Sequence, residues 1–511
     1  MTSLQVFVEL LLRHVQLSTS SDEESRLSSD QGTVVPQCIL WLAQVNERLA
    51  QSPNYRRLPV AIDRRVWKLY HAQLAQCCTV LREQVSWERA STIYLQLLRK
   101  LFEWMRNICA DSPDNQWIAC DIMVHIGVSD ILLELLNWRN KASEHTERKE
   151  ATKTINMGIQ ALANMCTAST PVQDIVWPYF MEESNLLSLF LLFAEPDSIH
   201  SALVWIHNCT SNNPANSQRF VDSTTGADAV ATLLNVFSDE NDTYSASFEL
   251  CYACIRNLLI SDLAPIIWAS LEKVDNECMS NSHVAILKAL DGMVDSSNSG
   301  LEIHLPLTSK LLVGVLTQTT ARLVLLLDTP DPQLDPTMQH FSTFLVLILQ
   351  YIGIASLTAS VDEISSWLEE GIAKSLIDLL HGVSKLQPIL FSRTVQQTQN
   401  SQSNIFFMIR CDIMKVIANI TFSSRRAQDE IRECDGIPMV LSNCVVDDLN
   451  PYLREYGLFA VRNLTQGNKT NQDLIASLDK GKVVPSAMLA EMGVEATIDA
   501  DTGKLQFRPL E

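Results

Sequence analysis

Six segments of this chain share one pattern of apolar and polar positions, each centred on an Asn. They are Trp104-Met105-Arg106-Asn107-Ile108, Ala161-Leu162-Ala163-Asn164-Met165, Trp205-Ile206-His207-Asn208-Cys209, Cys254-Ile255-Arg256-Asn257-Leu258, Val416-Ile417-Ala418-Asn419-Ile420 and Ala460-Val461-Arg462-Asn463-Leu464. In each, the residues three before, two before and one after the Asn are apolar or small. Those offsets fall on one side of a helix, so each segment is predicted to be an amphipathic helix with a buried stripe.

The residues downstream of the Asn recur as well. A Gln comes nine residues later at Gln116, Gln173, Gln428 and Gln472, and one residue late at Gln218. Between them lies a polar turn such as Asp111-Ser112-Pro113-Asp114-Asn115 or Ser211-Asn212-Asn213-Pro214. The Asn spacings are 57, 44, 49, 162 and 44 residues, close to the ~40–47 of armadillo-type helical repeats. The expected fold is therefore all-α: an armadillo-like, right-handed superhelical solenoid. A charged loop near Asn140–Glu144 is expected to lengthen the first gap. The gap of 162 leaves room for degenerate units, one being Val284–Gly292 with Gly292 in the Asn position.

Composition suggests where the array breaks. Residues 18–35, rich in Ser, Asp and Glu, read as a mobile loop. Asp328-Thr329-Pro330-Asp331-Pro332 reads as a hinge, and residues 384–404 as a polar insertion. The expected organisation is N-terminal repeats over 1–300, degenerate repeats with the insertion over 301–404, and a C-terminal domain over 405–511. Few contacts are expected to cross the insertion.

The chain has 511 residues, 47% of them hydrophobic, with only 16 Gly and 18 Pro, which suits long helices and short turns. A net charge of −20 disfavours nucleic acid as a partner. The 13 Cys are unevenly spaced, odd in number and mostly inside apolar runs, as expected of free thiols in a reducing compartment. The first residues, Met1 to Glu9, show no basic stretch of a signal peptide. Residues 341–360 carry no charge and are long enough to span a bilayer. Gln350, Gly353 and several Ser and Thr interrupt them, however, and no flanking Lys or Arg marks the ends. They are expected to be buried solenoid helix, with no membrane span.

The C-terminal third carries a more specific pattern. Asp435-Gly436-Ile437-Pro438, Asn443-Cys444, Asp447-Asp448-Leu449-Asn450-Pro451, Ala460 to Thr465 and Asn471-Gln472-Asp473-Leu474-Ile475-Ala476 occur in an order and spacing that resemble the ataxin-10 family over roughly 405–510. Met492-Gly493-Val494-Glu495 and Gly503-Lys504-Leu505 look similar too. The resemblance implies a self-associating armadillo-like scaffold in the cytoplasm, with perinuclear, centrosomal or midbody sites. It implies links to neuron survival and neurite outgrowth through Ras–MAP kinase signalling, to cytokinesis, and to centrosomes and ciliary basal bodies. Implied partners are a heterotrimeric G-protein β subunit and the O-GlcNAc transferase. No short partner motif carries these to particular residues.

Candidate chemistry is sparse, and no catalytic, cofactor-binding or metal-ligating residue is assigned. Cys251 and Cys254 form a CxxC with no second pair to complete a zinc site. His200 and His207 lack an acidic third ligand. Phosphate-loop, dinucleotide and nucleophile-elbow motifs are missing, so no enzyme activity is expected. Arg56, Arg57, Arg64, Arg65 and Lys68 form a basic cluster, read as a solvated helix face or a dock for an acidic partner.

The candidate binding residues are Asn107, Asn164, Asn208, Asn257, Asn419 and Asn463, with Arg106, Arg256 and Arg462 beside three of them. Two readings of the ladder stand side by side. Each Asn can hydrogen-bond the backbone of an extended peptide in a concave groove, or bridge neighbouring backbone inside the stack. A nuclear import adaptor is one alternative function. Importin-like carriers, however, place a Trp four residues before each Asn, and here those positions hold Glu103, Gln160, Val204, Ala253, Lys415 and Phe459. An armadillo-fold regulator of G proteins is another, and it needs no motif of its own.

Overall fold

Each Asn-centred segment lies in the closing helix of a helical repeat. The computed structural model describes residues 31–51, 63–83, 89–142, 145–182, 196–238, 246–275, 279–295, 305–327, 337–394, 405–445, 450, 452–478, 494–498 and 505–509. The hinge at 328–332, residues 18–30 of the expected loop, Arg56, Arg57, Asp447 and Asp448 lie outside them. The chain divides into two units, Met1–Leu311 and Leu312–Glu511.

The first unit holds α1 (Gln31–Gln51), α2 (Arg64–Glu83), α3 (Arg89–Cys109), α4 (Pro113–Asp121), α5 (Val124–Lys141), α6 (His145–Cys166) and α7 (Thr170–Glu182). It continues with α8 (Pro196–Thr210), α9 (Pro214–Asp222), α10 (Gly226–Ser238), α11 (Ala246–Ile260), α12 (Ala264–Asp275), α13 (Asn281–Asp295) and the start of α14 (Pro306–Leu327). Helices α1, α3, α6, α8 and α11 pack side by side as one row, with α2 on α5 and α10 on α13 in a second. The short helices α4, α7 and α9 form a third. In the second unit are α15 (Thr337–Thr358), α16 (Val361–Glu369), α17 (Ile372–Thr394), α18 (Ile405–Thr421), α19 (Arg425–Glu433), α20 (Gly436–Ser442), α21 (Leu453–Thr465) and α22 (Lys469–Ser477). There α15, α18 and α21 make the corresponding row. Both units are armadillo-type stacks of helical repeats.

The turn chemistry repeats with the helices. Four residues after the Asn the backbone turns left-handed, at Asp111, Ala168, Asn212, Ser423 and Gly467, which stops the helix. After Asn257 the turn comes one residue later, at Asp262. The next helix then starts on a cap: the side chains of Asn213, Ser424 and Asn468 accept from the backbone N–H groups of Asn216, Ala427 and Asn471. Pro113 and Pro214 occupy first-turn positions that need no N–H partner.

The expected stripe is the core. The residues three before and one after every ladder Asn are buried, including Trp104, Trp205, Cys209 and Leu464. Trp104 packs on Trp67 and Tyr70 with ring centroids 5.1 and 5.0 Å away, and Trp205 packs on Phe180 at 4.7 Å. Burying each such side chain contributes roughly 1.5–3 kcal/mol. Val461 departs from the stripe: it is only half-buried, because α21 is the last helix of its row among the described residues.

Four expectations need correction. The first gap is long because α5 and α6 are 18 and 22 residues long, and Asn140 and Lys141 lie within α5. Residues 31–35 of the expected loop are the start of α1, and residues 384–394 of the expected insertion are the end of α17, while residues 395–404 lie outside the described residues. Contacts do cross the 384–404 segment: α18 packs on α15 and α17, and the Arg426 guanidinium reaches Glu369 at 3.4 Å. Gly292 belongs to α13, which packs chiefly on the outer helix α10, and faces the Tyr252 hydroxyl. The chain also ends in an antiparallel hairpin, β1 (Val494–Ile498) with β2 (Leu505–Pro509), outside the helical repeat pattern.

Among the described residues two helices, over Pro306–Leu326 and His340–Thr358, are long and apolar enough to cross a membrane. In the second of these, Phe344, Leu345, Ile348, Leu349 and Ile352 are buried, and the helix packs on α18.

Candidate functional site

The ladder is built by amide groups reaching back one repeat. Asn164 Nδ2 donates to the Arg106 carbonyl at 2.9 Å, Asn208 to Ala163 at 3.1 Å, and Asn463 to Ala418 at 2.8 Å. In all three the acceptor is the residue just before the previous Asn. Asn107 donates to the Asn46 carbonyl at 3.3 Å. Asn257 donates to the Thr210 hydroxyl at 3.2 Å, consistent with the one-residue shift of its turn. Asn419 donates to the Gly353 carbonyl and the Ser356 hydroxyl, each at 3.0 Å. That bond identifies α15 as the degenerate member of the row, with Ile354 where an Asn would stand.

The recurring Gln completes the stitch. Gln116 Nε2 donates to the Cys109 carbonyl in its own repeat and to the Asn164 and Thr167 carbonyls in the next. Gln173 joins the Cys166 and Asn208 carbonyls, and Gln428 joins Thr421, Asn463 and Gln466. These carbonyls end helices and have no partner within them. Gln218 does not belong to this set: it pairs with Asp222, and Ser217 takes the register position with a bond of 3.4 Å to Thr210. One residue earlier, Asn115, Asn216 and Asn471 donate to the carbonyls of Ile108, Cys209 and Leu464. This second polar position was missed in the sequence, although Asn115 and Asn471 each directly precede a recurring Gln.

The ladder Asn residues thus bridge backbone inside the stack. They do not vanish into it: Asn164, Asn208, Asn257 and Asn419 are half-buried, whereas Asn107 and Asn463 are buried. Arg106 donates to Asn107 Oδ1 and, through Nη1, to Gln160 at 2.9 Å, so it is held within the row. Arg256 lines a cleft of about 270 Å3 with His207, Asn257 and Ile260. Arg462 is exposed on α21. The structure therefore brings Arg256 and Asn257 together at one open site, and leaves Arg106 and Asn107 in a closed network.

The other candidates are structural. Cys251 and Cys254 are fully buried, and their thiols donate to the Leu233 and Leu203 carbonyls. Burial pushes the Cys251 thiol up to about 12 and raises Cys254 well above its ordinary value, which disfavours the thiolate that metal binding or redox chemistry requires. No cluster of three metal-ligating side chains occurs among the described residues. Arg64 pairs with Asp121 and Arg65 with Asp63, so part of the basic cluster is neutralised.

Residues 409–508 match a family described as the spinocerebellar ataxia type 10 protein domain. Human Ataxin-10 is 25% identical over 412 residues, covering 78% of this chain and 80% of that protein. The chain is thus similar to ataxin-10 along most of its length, and most specifically at its C-terminal domain. Ataxin-10 of Xenopus tropicalis is 22% identical and covers 82% of each chain. A Dictyostelium discoideum ataxin-10 homolog is 35% identical over 99 residues, which cover 19% of this chain and 16% of that one. Among solved structures, SYS-1 is similar at a TM-score of 0.37 and 11% identity, covering 91% of this chain and 76% of the other. The ataxin-10 domain matched here contains the side chains that make the second unit's stitch: Asn419, Gln428, Asn463, Asn468 and Asn471.

Proposed function

We propose that this ataxin-10 relative is a non-enzymatic, protein-binding scaffold that receives an extended segment of a partner along its ladder row. One observation carries the reading. At Asn164, Asn208, Asn257 and Asn419 the amide nitrogen is bonded to the preceding repeat and the side chain stays half-exposed. Half-exposed side-chain amides recurring along the row of each unit suit a peptide's backbone N–H groups, and Arg256 and Arg462 add charge beside one rung in each unit. Affinity would rest on a few anchors along a broad surface. Affinity purification of the intact chain with cross-linking tests this. Cross-links should concentrate on α6, α8, α11, α18 and α21, and Arg256→Glu with Arg462→Glu should reduce them. A purified chain with turnover on a small molecule would sink the reading.

The finer roles rest on the family resemblance and belong to the same proposal. They are Ras–MAP kinase signalling in neuron survival and neurite outgrowth, cytokinesis, and centrosome and basal-body work from a cytoplasmic position. A G-protein β subunit and the O-GlcNAc transferase are the partners to test first. Self-association is proposed for the outer face of α21, where Leu458 and Phe459 are each 53% exposed. Sedimentation of Leu458→Asp with Phe459→Asp should then shift toward monomer. We also place α14 and α15 in the stack rather than in a bilayer, because the apolar face of α15 is covered by α18.

A further inference from the structure

We infer that the cleft between the end of α8 and the end of α11 holds an aspartate or glutamate side chain of the partner segment that the ladder row receives. This rests on the groove reading above and adds what the partner carries. The cleft has a volume of about 270 Å3, and His207, Thr210, Ser211, Arg256, Asn257 and Ser261 are among its lining residues.

The cleft opens where the stitch between repeats fails. At the earlier seams of the first unit Gln116 and Gln173 bridge to carbonyls of the next repeat. Here Ser217 stands in the Gln position, and its short side chain serves the Thr210 carbonyl of its own repeat. The Asn257 carbonyl, which a Gln would have reached, accepts from Ser261 Oγ at 3.0 Å instead. The Asn257 amide likewise ends on the Thr210 hydroxyl, not on a backbone carbonyl. The seam between α8 and α11 thus satisfies its polar groups locally and leaves room between the helices.

Two cation-type side chains meet that room. His207 and Arg256 each directly precede a rung Asn, so they hold equivalent positions on neighbouring helices. The other pairs of neighbouring rungs place Ala163 or Ala418 at one of the two positions. Both His207 and Arg256 are half-buried, and neither side chain has an ion-pair or hydrogen-bond partner among the described residues. No carboxylate lines the cleft among those residues, in a chain of net charge −20. The acids nearby are occupied elsewhere: Asp262 accepts from the backbone N–H groups of Leu307 and Thr308, and Asp174 accepts from Asn213.

Size and donor geometry select the occupant. Pockets for whole small ligands span roughly 300–1,000 Å3, so about 270 Å3 suits one side chain of a longer segment. A guanidinium fork matches the two oxygens of a carboxylate, and an imidazole offers at least one N–H in either protonation state. A phosphate draws on several cations, whereas this cleft has one Arg and no Lys.

The test is selection of a phage-displayed random dodecapeptide library on the full chain, with fluorescence anisotropy of the enriched peptides. These are expected to share an Asp or Glu, and its change to Asn or Gln should weaken binding at least tenfold. Arg256→Gln should cause a loss of the same size, and the peptide and protein changes together should cost little more than either alone. Ser211→Glu keeps Arg256 and brings a competing carboxylate into the cleft. It should also weaken acidic peptides at least tenfold with the circular dichroism spectrum unchanged, and it replaces Arg256→Gln should that variant misfold. Peptides that cross-link to α8 and α11 yet share no acidic residue, or keep their affinity in both variants, would overturn the inference and leave the groove reading standing. A loss confined to Arg462→Gln would move the acidic anchor to the second unit and overturn it as well. Enrichment of no peptide, or only of peptides that cross-link away from the ladder row, would overturn both readings.

Discussion

The first and second units are stitched in the same way but present different side chains beside the stitch. In both, an Asn amide reaches back to a carbonyl and a Gln joins two repeats. Three residues beyond the rung, the first unit has Ala110, Thr167, Ser211 and Ile260, and the second has Leu357, Phe422 and Gln466. Leu357 is 65% and Phe422 60% exposed, an apolar surface that folding leaves in water. The contrast shows that stack and surface are specified by different positions. The buried stripe, the Asn and the Gln fix the repeat, while the +3 position is free to take its character from what the surface meets.

The largest effect should come from breaking the stitch's apolar support. Ile417 and Val461 both stand two residues before a ladder Asn, but Ile417 is fully buried and Val461 half-buried. A carboxylate stranded at Ile417 costs several kcal/mol or more, a large part of the roughly 5–15 kcal/mol that holds a domain together. Ile417→Asp is expected to unfold the second unit, whereas Val461→Asp should lose about 1 kcal/mol. Denaturant melts of the two variants of the full chain decide, and equal damage from both would refute the register.

The next comparison concerns one recurring residue in two settings. Gln428 is buried and serves three carbonyls, and its Oε1 accepts from Asn468. Gln472 holds the same register but is exposed and, among the described residues, bonds Thr465. Removing a buried donor leaves its partners unsatisfied at about 1–3 kcal/mol. Gln428→Leu should therefore lose about 2–3 kcal/mol, and Gln472→Leu under about 0.5 kcal/mol. The same melts measure both, and a cost for Gln472→Leu as large as for Gln428→Leu would show that the carbonyls, not burial, decide.

Much of this was legible because the repeat is polar as well as apolar. The stripe, the Asn, the Gln and the turn recur at fixed offsets, so Trp104, Ile206 and Leu464 could be assigned to the core without coordinates. The partner of each Asn was not legible, since a bond from Asn164 to Arg106 spans 58 residues and depends on how repeats stack. Degenerate rungs were misplaced for the same reason. Ile354 has no polar mark, and α15 is recognised only by the Asn419 bond to Gly353, while Gly292 fits the local pattern yet sits in an outer helix.

A smaller effect separates the units by pH. Seven residues before the rung, the first unit has Lys100, Met157, Ser201 and Leu250, and the second has Leu347, Asp412 and Tyr456. Burial raises the Asp412 carboxyl to about 6, with Lys415 partly opposing. The folded chain thus holds this proton more tightly than the unfolded chain, whose carboxyl titrates near 3.8. Its contribution to stability falls as pH rises from about 4 to about 6 and is flat above that. Asp412→Asn should therefore stabilise the chain by about 1–2 kcal/mol at pH 7.5 and by almost nothing at pH 4. Melts at the two pH values test the sign, and a variant equally stabilised at both would show that ionisation is not the cause.

The smallest effect on stability should carry the largest consequence for the contrast itself. Leu357 and Phe422 stay mostly in water, so replacing them removes little burial. Leu357→Ser with Phe422→Ser is expected to change stability by less than about 0.5 kcal/mol. If the exposed apolar row anchors a partner, the double variant should lose most of the protein recovered by affinity purification, because exposed aromatic and aliphatic groups become anchors only when a partner covers them. Ile260→Ser in the first unit is the matched control, since Ile260 is 43% exposed and sits beside Arg256 in a polar cleft. Partners that survive the double variant but are lost with Ile260→Ser would assign recognition to the first unit. Partners indifferent to all three changes would show that the +3 positions do not face a ligand, and the difference between the units would then be one of surface composition alone.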